Sequence, residues 1–184
     1  MNIKNVFYTV LALGLLAAAP AMLAQEGTDA PAPAKKAAKG KKDAPAKEPT
    51  VMGKALQEMT FLTDTKPNPE AKYFIYLQSA SWCGPCNMEM PIVVKQYKAM
   101  KMGKKVELIL VSHDNNADAA VKFMKKYGGD FPCILANSGE SGKLPAFKFA
   151  GGIPNASVVK ANGKEVANAH AGEIIGNWKK YTRK

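Results

Sequence analysis

Arginine, histidine and cysteine are all scarce in this 184-residue chain. The net charge is +11, yet 25 of the 26 basic residues are lysine and Arg183 is the one arginine. Planar, bidentate recognition of phosphate or guanine depends on arginine. We therefore expect no nucleic-acid partner, and we interpret the charge as a solvated basic surface that would attract acidic proteins or anionic surfaces.

The few cysteines and histidines also argue against a metal site. The chain has three cysteines, Cys83, Cys86 and Cys133, and two histidines, His113 and His170. Structural zinc needs four ligands, usually from a second Cys-x-x-Cys or a histidine pair, and neither is present. We predict no metal and no cofactor. The apolar neighbours of Cys133 predict a buried, inert thiol, the alternative being a regulatory or intermolecular disulfide.

The first 24 residues have the three parts of a secretory signal. Lys4 gives a short positive start, residues 6–19 form an apolar run, and residues 21–24 are a small-residue exit. An uncleaved membrane anchor is the alternative, because the apolar run nearly reaches spanning length. We predict a signal peptide over residues 1–24 of an exported bacterial protein, periplasmic or secreted, in a compartment where disulfides persist.

Residues 25–50 contain no aliphatic side chain larger than alanine. Such a segment cannot bury enough apolar surface to offset the entropy of ordering it. We predict a disordered Ala/Pro/Lys-rich linker over residues 25–50, followed by one folded domain over residues 51–184.

Within that domain, hydrophobic patterns alternate between strands and helices. Strands are predicted at 73–78 and 106–112, and a short strand or extended turn at 131–135. Helices are predicted at 55–59, 88–102, 117–127 and 173–181, with a helical turn near 144–149. Residues 60–65 read as an irregular or edge-strand segment. A hairpin should pair 156–160 with 164–169 across Asn162-Gly163, a sequence typical of a type I′ turn. This order predicts an α/β domain whose central mixed sheet has helices on both faces.

The stretch 79–91, SASWCGPCNMEMP, places two cysteines where a strand passes into a helix. The first helical turn has unpaired backbone N–H groups and the positive end of the helix dipole, and both favour a thiolate. Cys83 is therefore predicted to be the attacking sulfur. Cys86, one turn further in, can reach back to the same sulfur and close a disulfide.

These motifs resemble the thioredoxin superfamily over roughly residues 52–181. The resemblance rests on Trp82-Cys83-Gly84-Pro85-Cys86, Pro91 in the following helix, Gly152-Ile153-Pro154 before the hairpin and Gly172 after it. Residues 87–91 and an inserted block at 114–135 look like the TlpA/ResA group of extracytoplasmic thioredoxins, and residues 79–82 are also similar to tryparedoxin and nucleoredoxin. The resemblance implies a thioredoxin fold with an N-terminal extension and a TlpA-like insertion.

The same resemblance implies where a substrate would bind. In that family the proline matching Pro154 is cis and lies opposite the cysteine pair, and the backbone of the residue before it, Ile153, pairs with the substrate like an added strand. Trp82 would form an apolar wall beside the thiols. Gly84 and Pro85, between the cysteines, complete the expected substrate-binding set.

One departure from the family pattern concerns proton transfer. Thioredoxin itself has a buried acid six residues before its first cysteine, and Leu77 stands at that position here. Glu89 matches an acid of the ResA pattern and lies one helical turn from Cys86, so it could manage that cysteine's proton. The catalytic set is therefore Cys83, Cys86 and Glu89. The alternative for Glu89 is a surface carboxylate that stabilises the first helical turn.

The resemblance implies a thiol–disulfide oxidoreductase, and the Gly-Pro spacer resembles that of reducing thioredoxins. The expected partners are disulfide-bearing client proteins and a membrane-bound electron donor, and we expect a monomer. The alternative is a copper-handling or protein-interaction module on the same fold, using Cys83, Cys86 and a methionine from Met88 or Met90.

Overall fold

The computed structural model describes residues 48–183. The predicted signal peptide at 1–24 and nearly all of the linker at 25–50 lie outside the described residues and stay predictions. Among residues 48–183, no helix combines the length and the apolar character needed to cross a membrane.

Five strands form one mixed sheet in the order β3-β2-β1-β4-β5. β1 pairs in parallel with β2, and β2 with β3, whereas β4 pairs antiparallel with both β1 and β5. The strands are β1 (Tyr73–Ser79), β2 (Val106–Ser112), β3 (Cys133–Leu135), β4 (Asn155–Lys160) and β5 (Glu165–His170). The predicted mixed sheet with one parallel set and an antiparallel edge is confirmed.

Helices cover both faces of this sheet, as the sequence predicted. They are α1 (Val51–Gln57), α2 (Gly84–Gly103), α3 (Ala117–Lys126), α4 (Ala171–Gly176) and α5 (Trp178–Tyr181), with a short 3₁₀ helix at Ser141–Lys143. All seven residues of β1 are buried, because alternate side chains enter two different cores. Ile75 and Leu77 pack with α2, α3 and α4, whereas Phe74 and Tyr76 pack with α1.

Two helices begin earlier than their hydrophobic patterns predict, because side chains cap them. Thr50 accepts a hydrogen bond from the Gly53 N–H at 3.0 Å and starts α1 at Val51 rather than at Ala55. Cys83 caps α2, which begins at Gly84, four residues before the hydrophobic pattern starts, so the cysteine pair lies at the first helical turn as predicted. The whole Gly-Pro spacer therefore belongs to the first helical turn.

The predicted helix at 173–181 is two helices. It breaks at Asn177, whose backbone N–H and side-chain amide both donate to the carbonyl of Glu173, at 3.2 and 3.0 Å. Asparagine competes with the helical hydrogen-bond pattern in this way. The helical turn predicted near 144–149 is also misplaced, since the 3₁₀ helix lies at Ser141–Lys143.

The hairpin is confirmed, but its turn is not type I′. That type needs positive φ at both central residues, and only Gly163 has it, at +83°. The Gly163 N–H donates to Lys160 O at 2.8 Å, and Lys160 N–H donates to Lys164 O at 2.9 Å. The connection is thus a three-residue loop with glycine in the left-handed position.

The segment at 60–65 is irregular, which was one of its two predicted forms. Leu62 N–H donates to Cys133 O at 2.8 Å, and the Thr63 hydroxyl donates to Phe131 O at 3.1 Å. The segment therefore covers the outer edge of β3, the shortest strand of the sheet.

Candidate active site

Cys83 and Cys86 are joined by a disulfide at the start of α2, just beyond the end of β1. Their Cα atoms are 5.2 Å apart. The N–H of Cys86 donates to Sγ of Cys83 at 3.2 Å. When the pair is reduced, this N–H and the positive end of the helix dipole favour negative charge on the Cys83 sulfur.

The two sulfurs differ in access. Cys86 is 1% exposed and Cys83 is 6% exposed, while Gly84 and Pro85 between them are exposed at the surface. Cys83 is therefore the more accessible of the two sulfurs, at the edge of the exposed spacer.

Ile153 and Pro154 form the opposite side of the cysteine pair. The Ile153–Pro154 peptide bond is cis, as the resemblance implied. Sγ of Cys83 lies 3.8 Å from the carbonyl oxygen of Ile153. Pro154 is buried and Ile153 is half-buried, so a backbone carbonyl rather than a side chain faces the sulfur from this direction.

Trp82 is at the surface rather than in the core. It is 65% exposed, and its indole N–H donates to His113 O at 3.3 Å. The His113 ring packs at 4.9 Å from the ring of Phe149, which is 60% exposed. The exposed aromatic side chains of Trp82 and Phe149 thus both contact His113, and Trp82 directly precedes Cys83. Phe149 had no sequence signal beyond its own apolar character in a glycine-rich connection.

Glu89 turns away from solvent toward the junction of β5 and α4. Its Oε1 lies 3.3 Å from Nδ1 of His170, and its side chain is 21% exposed. Burial raises the pKa of Glu89, while the nearby His170 and the Gly172 N–H act in the opposite direction. The proton-transfer role of Glu89 and its alternative, a carboxylate that stabilises the first helical turn, both stay predictions.

Comparison with known proteins places this architecture in a family. A model of the Redoxin family matches residues 39–177, most of the chain. The chain belongs to the Redoxin family.

Several proteins named thiol-disulfide oxidoreductase ResA are similar to this Redoxin-family chain. The protein from Bacillus subtilis (strain 168) is 40% identical over 55 residues, 30% of each chain. The protein from Bacillus thuringiensis (strain Al Hakam) is 31% identical over 96 residues, 52% of this chain and 50% of the relative. The chain thus spans half or less of these two curated relatives.

Solved structures show the same fold. A thioredoxin from Wuchereria bancrofti superposes with a TM-score of 0.50 and 27% identity, covering 58% of this chain and 74% of that one. The thioredoxin domain of a thiol-disulfide oxidoreductase from Bacteroides vulgatus gives a TM-score of 0.50 at 22% identity, covering 62% and 81%. The Redoxin-family domain therefore has a thioredoxin fold.

Sequence reasoning missed Asp114, which positions the approach to the cysteines in this Redoxin-family site. Asp114 is 2% exposed. Its Oδ1 accepts from the N–H and the hydroxyl of Ser81, at 3.0 and 2.6 Å, and its Oδ2 accepts from the Ser112 hydroxyl at 2.9 Å. The sequence signal that could have identified Asp114 is its position two residues beyond the end of the buried strand β2, because polar side chains gather at that edge of a sheet.

Asn87 holds the start of α2 from the other side. Its amide donates to the carbonyls of Ser81 and Cys83, at 2.7 and 2.8 Å, and its side-chain oxygen accepts from the Tyr127 hydroxyl at 2.7 Å. Asn87 therefore ties the cysteine turn to the end of α3. Sequence reasoning identified Asn87 only as part of the family motif and predicted no role of its own for it.

The other cysteine and histidine considered in the sequence, Cys133 and His113, lie in the core or at its edge. Cys133 is a free, fully buried thiol, and burial raises its pKa to about 12. Nε2 of His113 lies 3.2 Å from Oε1 of Gln78, which accepts its hydrogen bond, and burial lowers the pKa of His113. Leu77 is buried in the core. Among residues 48–183, no three His, Cys, Asp or Glu side chains gather as metal ligands do.

Proposed function

We propose that this chain is an exported thiol–disulfide oxidoreductase that reduces disulfides in envelope or secreted proteins. The observation that carries the proposal is the Cys83–Cys86 disulfide at a helix start, with the Cys86 N–H directed at the Cys83 sulfur. The name shared by the ResA relatives supports the same activity, and the thioredoxin fold is compatible with it.

In the first step, the reduced Cys83 thiolate attacks one sulfur of a client disulfide. A bond forms between Cys83 and that sulfur, and the second client sulfur leaves with the electron pair of the broken bond and takes a proton from water. The Cys86 N–H and the helix dipole favour the thiolate that attacks.

In the second step, the Cys86 thiol loses its proton and attacks Cys83. The client sulfur leaves, and the disulfide seen in the structure forms. The client gains two electrons and the cysteine pair loses two. Glu89, one turn beyond Cys86 on the same helix, is the proposed acceptor of the Cys86 proton.

The client would lie across the exposed edge of the site. Its backbone would pair with Ile153 next to Pro154, since the Ile153 carbonyl already faces the Cys83 sulfur. The exposed ring of Trp82 would contact apolar client side chains, and the open spacer at Gly84 and Pro85 leaves room for the client disulfide.

The proposed direction of electron flow is from the cysteine pair to the client disulfide. A membrane-bound electron donor would then reduce the pair again, and the chain would act as a monomer. The Gly-Pro spacer supports this direction, because it is typical of thioredoxins with potentials near about −270 mV, whereas strong oxidants of this fold lie near about −120 mV. Export rests on the signal-like residues 1–24.

Turnover of a model protein disulfide by the reduced chain, with cysteine variants, tests the proposal. We expect Cys83→Ser to abolish turnover and Cys86→Ser to accumulate mixed disulfides with clients, because attack survives and release fails. Cys133→Ala is the matched control and should retain turnover, since that thiol is fully buried. Turnover by Cys83→Ser, or no trapped species with Cys86→Ser, would contradict the assigned roles.

The reduction potential of the pair, measured against glutathione, tests the direction separately. A value near about −270 mV is expected of a reductant. A value near about −120 mV would instead show an oxidant using the same two cysteines.

A further inference from the structure

Glu89 and His170 are close enough to exchange a proton. Oε1 of Glu89 lies 3.3 Å from Nδ1 of His170, and the Gly172 N–H donates to the same Nδ1 at 3.3 Å. A carboxylate oxygen and an imidazole nitrogen that both present lone pairs repel each other. The Gly172 N–H, which donates to Nδ1 and also lowers the pKa of Glu89, lies near both acceptors and offsets this repulsion. A proton that moves onto either atom makes the contact a hydrogen bond.

The backbone allows this approach because residue 172 is a glycine. A Cβ at that position would lie 2.8 Å from Oε1 of Glu89, closer than non-bonded atoms come. The first residues of α4 can therefore pack directly against the Glu89 carboxyl group. The acid on α2 and the histidine at the end of β5 are held together by this close packing.

Solvent exposure increases from Cys86, through the Glu89 side chain, to the His170 side chain. Cys86 is 1% exposed, the Glu89 side chain 21%, and the His170 side chain 59%. Oε2 of Glu89 is itself buried and has no hydrogen-bond partner among the described residues. A proton leaving Cys86 thus has a buried acceptor one helical turn away, and that acceptor touches a side chain that reaches solvent.

We propose that Glu89 and His170 form a two-residue relay that carries the Cys86 proton to solvent during the resolving step. This proposal rests on the proposed function. The Cys86 S–H bond breaks and its proton binds Glu89, while the sulfur's electron pair forms the bond to Cys83 and the client sulfur leaves with the pair of the broken bond. The relay then passes a proton through the imidazole to water, which restores the Glu89 carboxylate.

Among residues 48–183, His170 is the one titratable side chain that shifts the pKa of Glu89, which it lowers. Glu173, the acid in the first turn of α4, is engaged elsewhere, since its Oε1 accepts from the Tyr181 hydroxyl at 2.6 Å. Burial of Glu89 raises its pKa above that of a solvated carboxyl group, which makes it a better proton acceptor.

The test uses the reduced chain and an aromatic disulfide, dithiobis(nitrobenzoate), in a rapid-mixing experiment. Attack by Cys83 releases the first coloured thiolate, and attack by Cys86 releases the second, so the two steps have separate rates. His170→Asn removes the relay and retains a side-chain oxygen that can cap α4. We expect its second release to slow by about tenfold near neutral pH, with the first release unchanged.

Two further readouts separate a relay from a structural role. The second release of His170→Asn should reach the wild-type rate at high pH, where the Cys86 thiol ionises without a proton acceptor. Added imidazole should restore its rate near neutral pH. Glu89→Gln should also slow the second release, without rescue by imidazole. The double variant should be no slower than Glu89→Gln alone, because both residues act on one proton path.

Glu173→Gln, on the same helix turn but bound to Tyr181, is the matched control and should follow the wild-type pH profile. His170→Ser, which also retains a capping oxygen, replaces His170→Asn if that variant fails to fold. If the folded His170 variants release the second thiolate at the wild-type rate at every pH, the relay is overturned and the proposed function stays intact. A single release from the wild-type chain would instead overturn the proposed function.

Discussion

The Cys83–Cys86 pair and Cys133 lie in two regions of one domain that differ in their exposure and in their electrostatic surroundings. The pair lies at a helix start, with a backbone N–H directed at one sulfur and exposed residues between the two. Cys133 lies in β3 with no exposed surface, and burial raises its pKa to about 12. Reactivity in this chain is therefore set by where the backbone places each thiol, since the side chain is the same.

Asp114 acts on both regions. Its carboxylate accepts hydrogen bonds from Ser81, two residues before Cys83, and so fixes the loop that leads to the pair. Its negative charge also adds to burial in raising the pKa of Cys133. One carboxylate thus orders the reactive region and disfavours ionisation of the inert thiol.

The sharpest test of this contrast is alkylation of the fully reduced, folded chain. At pH 8 fewer than about one Cys133 thiol in 10³ is ionised, because its pKa is near 12. We expect iodoacetamide to label Cys83 at least about 10³ times faster than Cys133, as mapped by mass spectrometry. The unfolded chain, which should label at all three cysteines, is the control. Comparable labelling of Cys133 in the folded chain would remove the contrast.

Asp114→Ala should have the next largest effect. It leaves the N–H and hydroxyl of Ser81 and the hydroxyl of Ser112 without this acceptor in a buried setting. We expect the free energy of unfolding to fall by about 3 kcal/mol, measured by denaturant titration, because unsatisfied buried donors are costly. Asp118→Ala, an exposed acid on α3, should change it by less than about 0.5 kcal/mol. Equal losses in the two variants would show that Asp114 does not organise the loop.

The strand–helix junction that carries Cys83 and Cys86 could be predicted from the sequence because its signals are local. A buried strand, two cysteines and a helical pattern follow one another within residues 73–102, and each shapes its neighbour through backbone geometry. The sheet follows in the same way from alternating strand and helix patterns. The cis bond before Pro154 came from family resemblance rather than from a local signal.

The contacts that complete the site could not be predicted, because they join residues far apart in the chain. Asp114 meets Ser81 across 33 positions, and Asn87 meets Tyr127 across 40. No periodic pattern encodes such a meeting, which depends on how loops at one sheet edge pack. The break at Asn177 was missed for a different reason, since its side-chain hydrogen bond to the backbone overrides an apolar pattern that continues through it.

Cys133→Ala should have the smallest effect on stability and turnover, and it tests whether the buried thiol is unreactive. Alanine removes one sulfur from a fully buried position, so we expect the free energy of unfolding to fall by about 1 kcal/mol, the scale of removing a single methyl-sized group from a core. Disulfide turnover should stay at the wild-type rate, because no step uses this thiol. A larger fall in stability would indicate that Cys133 fills a space that cannot relax. Lost turnover at full stability would mean that Cys133 takes part in exchange despite its burial, and the environment of a thiol would then no longer predict its reactivity in this domain.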